Sequence, residues 1–177
     1  MKCYNMTSRN AKDTDPKTDA LGFEQHDHHA CVQDGMASAV ARCAKEGLRF
    51  TPVRKKTLEI LLQGHRALGA YEVLDRLRED GFGSQPPVAY RALDFLVAHG
   101  IVHKIERLNA FIACVNPDST HSPAFMICRE CDAVAETQSA PARGVLGDAA
   151  KAAGFVIEKT VVEAEGLCPT CVDKATP

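Results

Sequence analysis

Two Cys-x-x-Cys pairs constrain this chain more than any other feature. Cys128 and Cys131 form the first pair, and Cys168 and Cys171 form the second. Four thiolates in two such pairs match a closed tetrahedral zinc site, and this favours zinc over isolated structural cysteines or redox pairs. The 36 residues between the pairs exceed the about 15–20 of a zinc ribbon, so the sequence predicts a small subdomain between them.

A second set of possible metal ligands overlaps the first along the chain. It comprises His103, Cys114, His121 and Glu136. Two imidazoles, one thiolate and one carboxylate suffice for another tetrahedral site. No short motif joins these residues, so their spacing alone favours surface histidines, a buried free cysteine and a solvated glutamate.

Composition limits the class of protein. The 177 residues, 45% of them hydrophobic, fit one domain or two small ones. No apolar run is long enough to span a membrane, and the first residues lack the apolar core of a signal peptide. The eight cysteines therefore indicate metal thiolates in a reducing cytoplasm rather than disulfides.

Charge is uneven along the chain. Residues 34–113 contain 12 Lys and Arg against 9 Asp and Glu, a balance of +3, whereas residues 114–177 contain 5 against 9, a balance of −4. A basic middle followed by an acidic end is compatible with DNA binding by the middle.

Residues 1–33 are polar and predict a disordered leader. The leader contains a His-rich tract made of His26, His28, His29 and Cys31. Such a tract can bind metal, although in a tail it more often binds weakly or not at all.

Residues 34–114 predict a winged helix-turn-helix domain, against the alternative of an unspecific helical domain. A short amphipathic helix ends at Gly47 and buries Cys43. The next helix starts at Thr51 and Pro52. Three cations stand in its first turn, where they oppose the helix dipole and favour an external anion: Arg54, Lys55 and Lys56.

The last helix of this predicted domain begins with two prolines and ends at Gly100. Tyr90 and Arg91 project near its N-terminus, opposite its apolar stripe. A recognition helix in the major groove carries its base-reading residues at this place. Two short strands follow around Leu108 and Asn109, and they predict the wing.

Residues 115–122 are interpreted as a hinge, and residues 123–177 as a small α/β domain. Strands are predicted over 124–128 and 133–137, followed by a helix over 142–154 and a third strand over 155–166. A sheet this small buries little surface, so we expect it to need zinc, a partner subunit, or both.

From about residue 39 to 172 the chain resembles the ferric uptake regulator superfamily, and within it the zinc uptake regulator branch. The resemblance rests on FTPVRKKTLEIL, AYEVLDRLRE, PPVAYRALDFLVAHGIVHKIERLNAFIAC, THSPAFMICRECDAVAE and EGLCPTC. The iron-sensing branch has a His-rich approach to its first cysteine pair, where this chain has THSPAFMIC. The resemblance implies an α+β fold: a winged helix-turn-helix plus a small α/β dimerisation domain stapled by a four-cysteine zinc.

The resemblance also implies a bacterial cytoplasmic repressor of zinc-uptake genes, not an enzyme, that binds operator DNA as a homodimer. It assigns structural zinc to Cys128, Cys131, Cys168 and Cys171, and regulatory zinc to His103, Cys114, His121 and Glu136, giving two zinc ions per subunit. Tyr90 and Arg91 match the DNA-contacting pair, and Asp75 and Arg78 match positions that can link two dimers. One departure is Val88, since the family usually reads PPTVYR where this chain reads PPVAYR.

Three alternatives are left open by the sequence. A sister regulator with the same fold would sense iron, manganese or peroxide. A zinc hydrolase would need an open site with three ligands and a water. A thiol oxidoreductase would need a Cys-x-x-Cys at a helix N-terminus, whereas CRECDA lies between two predicted strands.

Overall fold

The computed structural model describes residues 23, 28–64, 66–82, 85–115, 122–140 and 144–175, with the backbone alone for 28–31. The described helices are α1 (His28–Lys45), α2 (Pro52–Leu62), α3 (Ala70–Glu79), α4 (Pro86–Ala98), α5 (Val145–Ala152) and α6 (Pro169–Ala175). The strands are β1 (Leu68–Gly69), β2 (Val102–Ile105), β3 (Ala110–Ala113), β4 (Ser122–Cys128), β5 (Val134–Ser139) and β6 (Val162–Gly166). They form two three-stranded sheets, ordered β1-β3-β2 and β5-β4-β6.

Helices α1 to α4 pack around one apolar core. Helically spaced side chains of α2, α3 and α4 meet there, among them Leu58, Leu61, Val73, Leu77, Leu93 and Leu96. The start of α2 is fixed as predicted, because the Thr51 hydroxyl accepts a hydrogen bond from the Arg54 backbone N–H at 3.5 Å. Helix α4 begins at its two prolines and is followed by Gly100 with φ +62°. The predicted helix-turn-helix is therefore present.

Strands β2 and β3 pair antiparallel and form the wing. The turn between them, residues 106–109 (the wing turn), ends at Asn109, whose φ of 46° lies in the left-handed region. Asparagine tolerates this region because its short polar side chain can bond locally. Strand β1 adds to the other edge of β3; the sequence analysis had not predicted it.

The second sheet, β5-β4-β6, belongs to the C-terminal part of the chain. Strand β5 pairs antiparallel with β4, whereas β6 runs parallel to β4. A parallel pair needs a crossover, and α5 lies in that connection. The third strand predicted over 155–166 is confirmed only in its second half, because residues 155–161 are irregular and the paired strand covers Val162–Gly166. Helix α6 had not been predicted at all.

The predicted leader also needs one correction. Helix α1 begins at His28, inside the segment that the sequence analysis assigned to a disordered leader. The helix extends the apolar face seen from Ala39 to Cys43 by further turns, since Val32 and Met36 pack against the same core. A polar tract thus became helical because a few apolar residues at helical spacing contact α2.

The wing packs against one face of the second sheet. A separate buried cluster joins them, made of Ala67, Ile105, Ala110 and Ile112 on one side and Phe125, Ile127 and Val134 on the other. A bridge between Arg66 and Ala133 also crosses this junction. Apolar packing therefore seats the wing on the second sheet. In the described part of the chain, no helix is long and apolar enough to cross a membrane.

Candidate metal centres and nucleic-acid interface

The four predicted structural ligands lie together. One sulfur from each of Cys128, Cys131, Cys168 and Cys171 lies within 4.8 Å of the others, and we call this group the four-cysteine cluster. The topology explains why the two cysteine pairs lie together. Strands β4 and β6 are parallel neighbours with Cys128 opposite Gly166, so both pairs lie at the C-terminal ends of these strands, at the same end of the sheet. Asp132, with φ 56°, turns the chain after the first pair.

Hydrogen bonding makes the four thiols unequal. The Cys168 backbone N–H donates to Cys128 Sγ at 3.3 Å, and this bond lowers the pKa of the Cys128 thiol to about 6. The pKa of the Cys171 thiol is raised to about 12, mainly by a hydrogen bond with the Cys168 side chain and secondly by burial. Cys128 therefore loses its proton more readily than Cys171. Zinc fits this set, because a bound dication favours the thiolate form of every ligand.

A second cluster lies at the junction between the wing and the second sheet. Ligand atoms of His103, Cys114 and Glu136 lie within 4.8 Å of one another, and we call this group the junction cluster. His103 stands on β2, Cys114 directly follows β3, and Glu136 stands on β5. The fold thus gathers three of the four predicted regulatory ligands from separate strands; His121 lies outside the described residues.

Glu136 is the centre of the junction cluster. Its carboxylate is only 2% exposed, and burial of a carboxylate is costly unless partners surround it. Oε1 lies 3.3 Å from His103 Nε2 and 3.9 Å from Cys114 Sγ, while Oε2 accepts the backbone N–H of Val115 at 3.2 Å. Nitrogen, sulfur and oxygen donors directed to one buried point suit zinc, which accepts all three.

The remaining cysteines and histidines do not extend these clusters within the described residues. Cys43 is 1% exposed in the apolar core, as predicted. His26 lies outside the described residues, as do the side chains of His28, His29 and Cys31. Metal binding by the His-rich tract therefore stays a question for experiment.

Helix α4 presents the predicted DNA-contacting pair to solvent. Tyr90 is 42% exposed, Arg91 is also exposed, and Ala89 and Leu93 on the opposite side are buried. The N-terminal half of the predicted recognition helix thus offers one aromatic and one cationic side chain. Their contact with DNA remains a prediction.

The three cations at the start of α2 have different surroundings. The Arg54 guanidinium lies 3.5 Å from the Phe95 ring centroid and also donates to the Arg49 carbonyl oxygen. Lys56 Nζ lies 3.1 Å from carboxylate oxygens of both Glu59 and Asp80. Lys55 is exposed. The three cations are alike in sequence, whereas in the fold Arg54 and Lys56 have partners within the subunit.

Asp75 and Arg78 form an ion pair with each other. Arg78 Nη1 lies 2.9 Å from Asp75 Oδ1 across one turn of α3, and both side chains are largely exposed. To link two dimers as predicted, Asp75 and Arg78 would have to break this ion pair and form ion pairs with residues of the neighbouring dimer.

An exposed apolar surface on the C-terminal part escaped the sequence analysis. Helix α5 buries none of its residues. Its Val145 and Leu146 are 88% and 53% exposed, and Phe155 and Val156 directly after it are 67% and 78% exposed. Several large apolar side chains exposed within one short segment indicate an association surface.

Comparison with known proteins agrees with this architecture. The model of the Ferric uptake regulator family matches residues 45–165. The Zinc uptake regulation protein of Escherichia coli (strain K12) is 39% identical over 143 residues, which are 80% of this chain and 84% of the relative.

Two solved structures are similar over most of their length. A zinc uptake regulator complexed with zinc and DNA is 37% identical, with a TM-score of 0.78 and coverage of 82% of this chain and 98% of that chain. Holo XcZur is 38% identical, with a TM-score of 0.72 and coverage of 79% and 98%. The predicted combination of a winged helix-turn-helix with a small C-terminal sheet is thereby confirmed.

Proposed function

The chain belongs to the ferric uptake regulator family, and from this membership we propose that it is a zinc-responsive transcriptional repressor. In this proposal the zinc-loaded protein binds palindromic operator DNA as a dimer and controls zinc-uptake genes in the bacterial cytoplasm. The family consists of transcription regulators, so the chain is not an enzyme. Its relatives are described as zinc uptake regulators, and one solved relative holds both zinc and DNA.

The junction cluster is the observation that carries the proposal. His103 and Cys114 belong to the wing, whereas Glu136 belongs to the second sheet. A metal held by all three supplies charge neutralisation for a buried carboxylate and thiolate and a fixed coordination geometry. These residues therefore tie the orientation of the winged helix to that of the C-terminal sheet whenever zinc is available.

Orientation matters because the proposed unit is a symmetric dimer. Two recognition helices related by a two-fold axis must lie about one helical turn of DNA apart to read a palindrome. Zinc needs only to bind the DNA-ready orientation more tightly than others in order to shift the population towards it. Zinc scarcity then releases the operator.

The exposed apolar surface around α5 supports the homodimer. Leu146, Phe155 and Val156 are all exposed apolar side chains in or just after α5, remote in sequence from the exposed residues of α4. A second copy that covers this surface leaves both recognition helices available for DNA. The proposal also includes two dimers that share one operator and are linked through Asp75 and Arg78.

We assign two zinc ions to each subunit. The four-cysteine cluster takes the structural ion, since its sulfurs already form a compact closed set. The junction cluster, with His121 as the proposed fourth ligand, takes the regulatory ion. DNA contact is assigned to Tyr90, Arg91 and Lys55, with Arg54 and Lys56 contributing only if DNA displaces their internal partners.

Operator binding titrated against buffered free zinc tests the function directly. We expect tight binding at sufficient zinc and weak binding in its absence, with iron(II) and manganese(II) as control metals. Equal activation by iron or manganese at matched free concentration would assign the chain to a sister sensor of the same fold.

A further inference from the structure

A single cross-strand row of the second sheet touches both the junction cluster and the wing turn. Phe125 of β4 is the partner of Glu136 on β5 and of Glu163 on β6. Cross-strand partners carry their side chains on the same face of a sheet. The Glu136 carboxylate meets His103, the Phe125 ring lies 5.5 Å from the His103 ring, and Glu163 meets the wing turn.

Glu163 binds the wing turn through both carboxylate oxygens. Oε1 accepts the backbone N–H of Glu106 at 2.7 Å, and Oε2 accepts that of Arg107 at 3.0 Å. Hydrogen bonds to an ionised acceptor are stronger than neutral ones, and two of them fix direction as well as distance. The two donors directly follow Ile105, the last residue of β2, so the contact holds the strand that carries His103.

The neighbouring glutamate of β6 contacts the same turn differently. Glu165 pairs with the guanidinium of Arg107, and more than half of the Arg107 side chain is exposed. Exposed ion pairs of this kind contribute little to an equilibrium. The two glutamates therefore carry the same charge on the same strand but differ in whether they bind backbone.

We propose that Glu163 is a positioning residue that holds the wing against the second sheet and so prearranges the junction cluster for zinc. The proposal rests on the zinc-dependent function above and adds a residue that is not a metal ligand. Glu136 and Glu163 lie in one cross-strand row of the second sheet. When the wing turn binds Glu163, strand β2 is held in position against that row, and this sets the distance between His103 and Glu136. When this contact is lost, fewer molecules have a competent site, and apparent zinc affinity falls in proportion.

The test replaces Glu163 by alanine in the full-length dimer. We expect the free zinc concentration at half-maximal operator binding to rise roughly five- to tenfold, within the usual range of coupling between sites. Operator affinity at saturating zinc should stay within about twofold of wild type, since enough zinc restores the closed population. A general loss of stability would instead also lower operator affinity at saturating zinc.

A second readout needs neither DNA nor the regulatory metal. Amide hydrogen exchange at Glu106 and Arg107, measured after the regulatory zinc is removed, should accelerate in Glu163→Ala because both amides lose their acceptor. Glu165→Ala is the matched control, since it removes the same charge two residues away. We expect this control to keep wild-type exchange at both amides and a wild-type zinc requirement.

The outcomes separate clearly. Wild-type exchange and a wild-type zinc requirement in a folded Glu163→Ala protein would overturn the inference, as would an equal effect in Glu165→Ala. If Glu163→Ala does not fold, Glu163→Gln, which keeps one acceptor oxygen, replaces it and should give intermediate values of both readouts. If wild-type operator binding ignores zinc, the proposed function itself fails; a zinc-responsive wild type with an unaltered Glu163→Ala refutes this inference alone.

Discussion

Glu136 and Glu163 stand on opposite edge strands of the second sheet, and both are cross-strand partners of Phe125. One carboxylate contacts a candidate zinc ligand on β2, and the other contacts the backbone just beyond the same strand. The row therefore contacts the wing both at the candidate ligand His103 and at the wing turn, and the contact through Glu163 involves no candidate metal ligand.

The four-cysteine cluster should be required for folding. Cys168→Ser removes one of the four sulfur ligands but keeps the backbone N–H that donates to Cys128. Structural zinc contributes about 10–16 kcal/mol of apparent binding free energy in small domains, comparable to the stability of a whole domain. We expect loss of zinc, of the folded C-terminal sheet and of the dimer, measured by metal content, circular dichroism and size-exclusion chromatography.

Cys43→Ser is the matched control for that experiment. It places a hydroxyl in the apolar core, where Cys43 is 1% exposed, and should cost about 1–3 kcal/mol of stability. Zinc content should not change. A dimeric Cys168→Ser protein with wild-type melting would refute the structural role of the cluster.

Cys114→Ser should separate sensing from folding. A serine hydroxyl stays neutral near pH 7 and is a far weaker zinc ligand than a thiolate. The four-cysteine cluster is untouched, so the protein should fold, dimerise and retain one zinc per subunit. The free zinc concentration at half-maximal operator binding should rise, or the zinc response should disappear. If metal content and zinc requirement both match wild type while the melting temperature falls, Cys114 is a core residue.

Arg91→Ala should relax sequence preference. If Arg91 contacts a base edge, its loss costs about 1–3 kcal/mol on the operator and much less on unrelated DNA. Fluorescence anisotropy on both DNAs measures the ratio. Equal weakening on both would reassign Arg91 to phosphate contact.

The lysines of α2 offer a paired test of phosphate contact. Lys55 is exposed, whereas Lys56 lies between the carboxylates of Glu59 and Asp80. Lys55→Ala should weaken binding to all sequences alike. It should also reduce the slope of the logarithm of the binding constant against the logarithm of salt concentration by about one. Lys56→Ala should change the slope less, and an equal change would mean that DNA displaces its internal partners.

The dimer interface can be tested at Phe155. Phe155→Asp puts a charge on the exposed apolar surface and should weaken the dimer by at least about 2 kcal/mol, roughly thirtyfold in Kd. Analytical ultracentrifugation measures the change. Tyr71→Asp is the control, because Tyr71 is equally exposed at 67% but lies on α3; its dimer constant should stay at the wild-type value.

Features that depend on interactions between near neighbours in the chain could be predicted from the sequence. Helix starts at Thr51 and at the paired prolines, helix ends at glycines, and the spacing of Cys128 with Cys131 all follow from interactions within a few residues. The helical core of the winged domain also followed, because apolar residues at a 3.6-residue period select one buried face. The family resemblance was likewise readable from ordered runs of residues.

The meeting of residues that are distant in sequence could be seen only in the folded chain. His103, Cys114 and Glu136 lie on separate strands, and their approach depends on sheet register and on the packing of the wing, which spacing does not encode. The same register placed Glu136 and Glu163 on one row, and the fold distinguished Lys55 from Lys56. Helix α1 extends into a polar tract because it packs on α2. Residues 155–161 are unpaired, and β6 pairs with β4 only from Val162 onward. In each case a long-range contact, rather than local propensity, decided the structure.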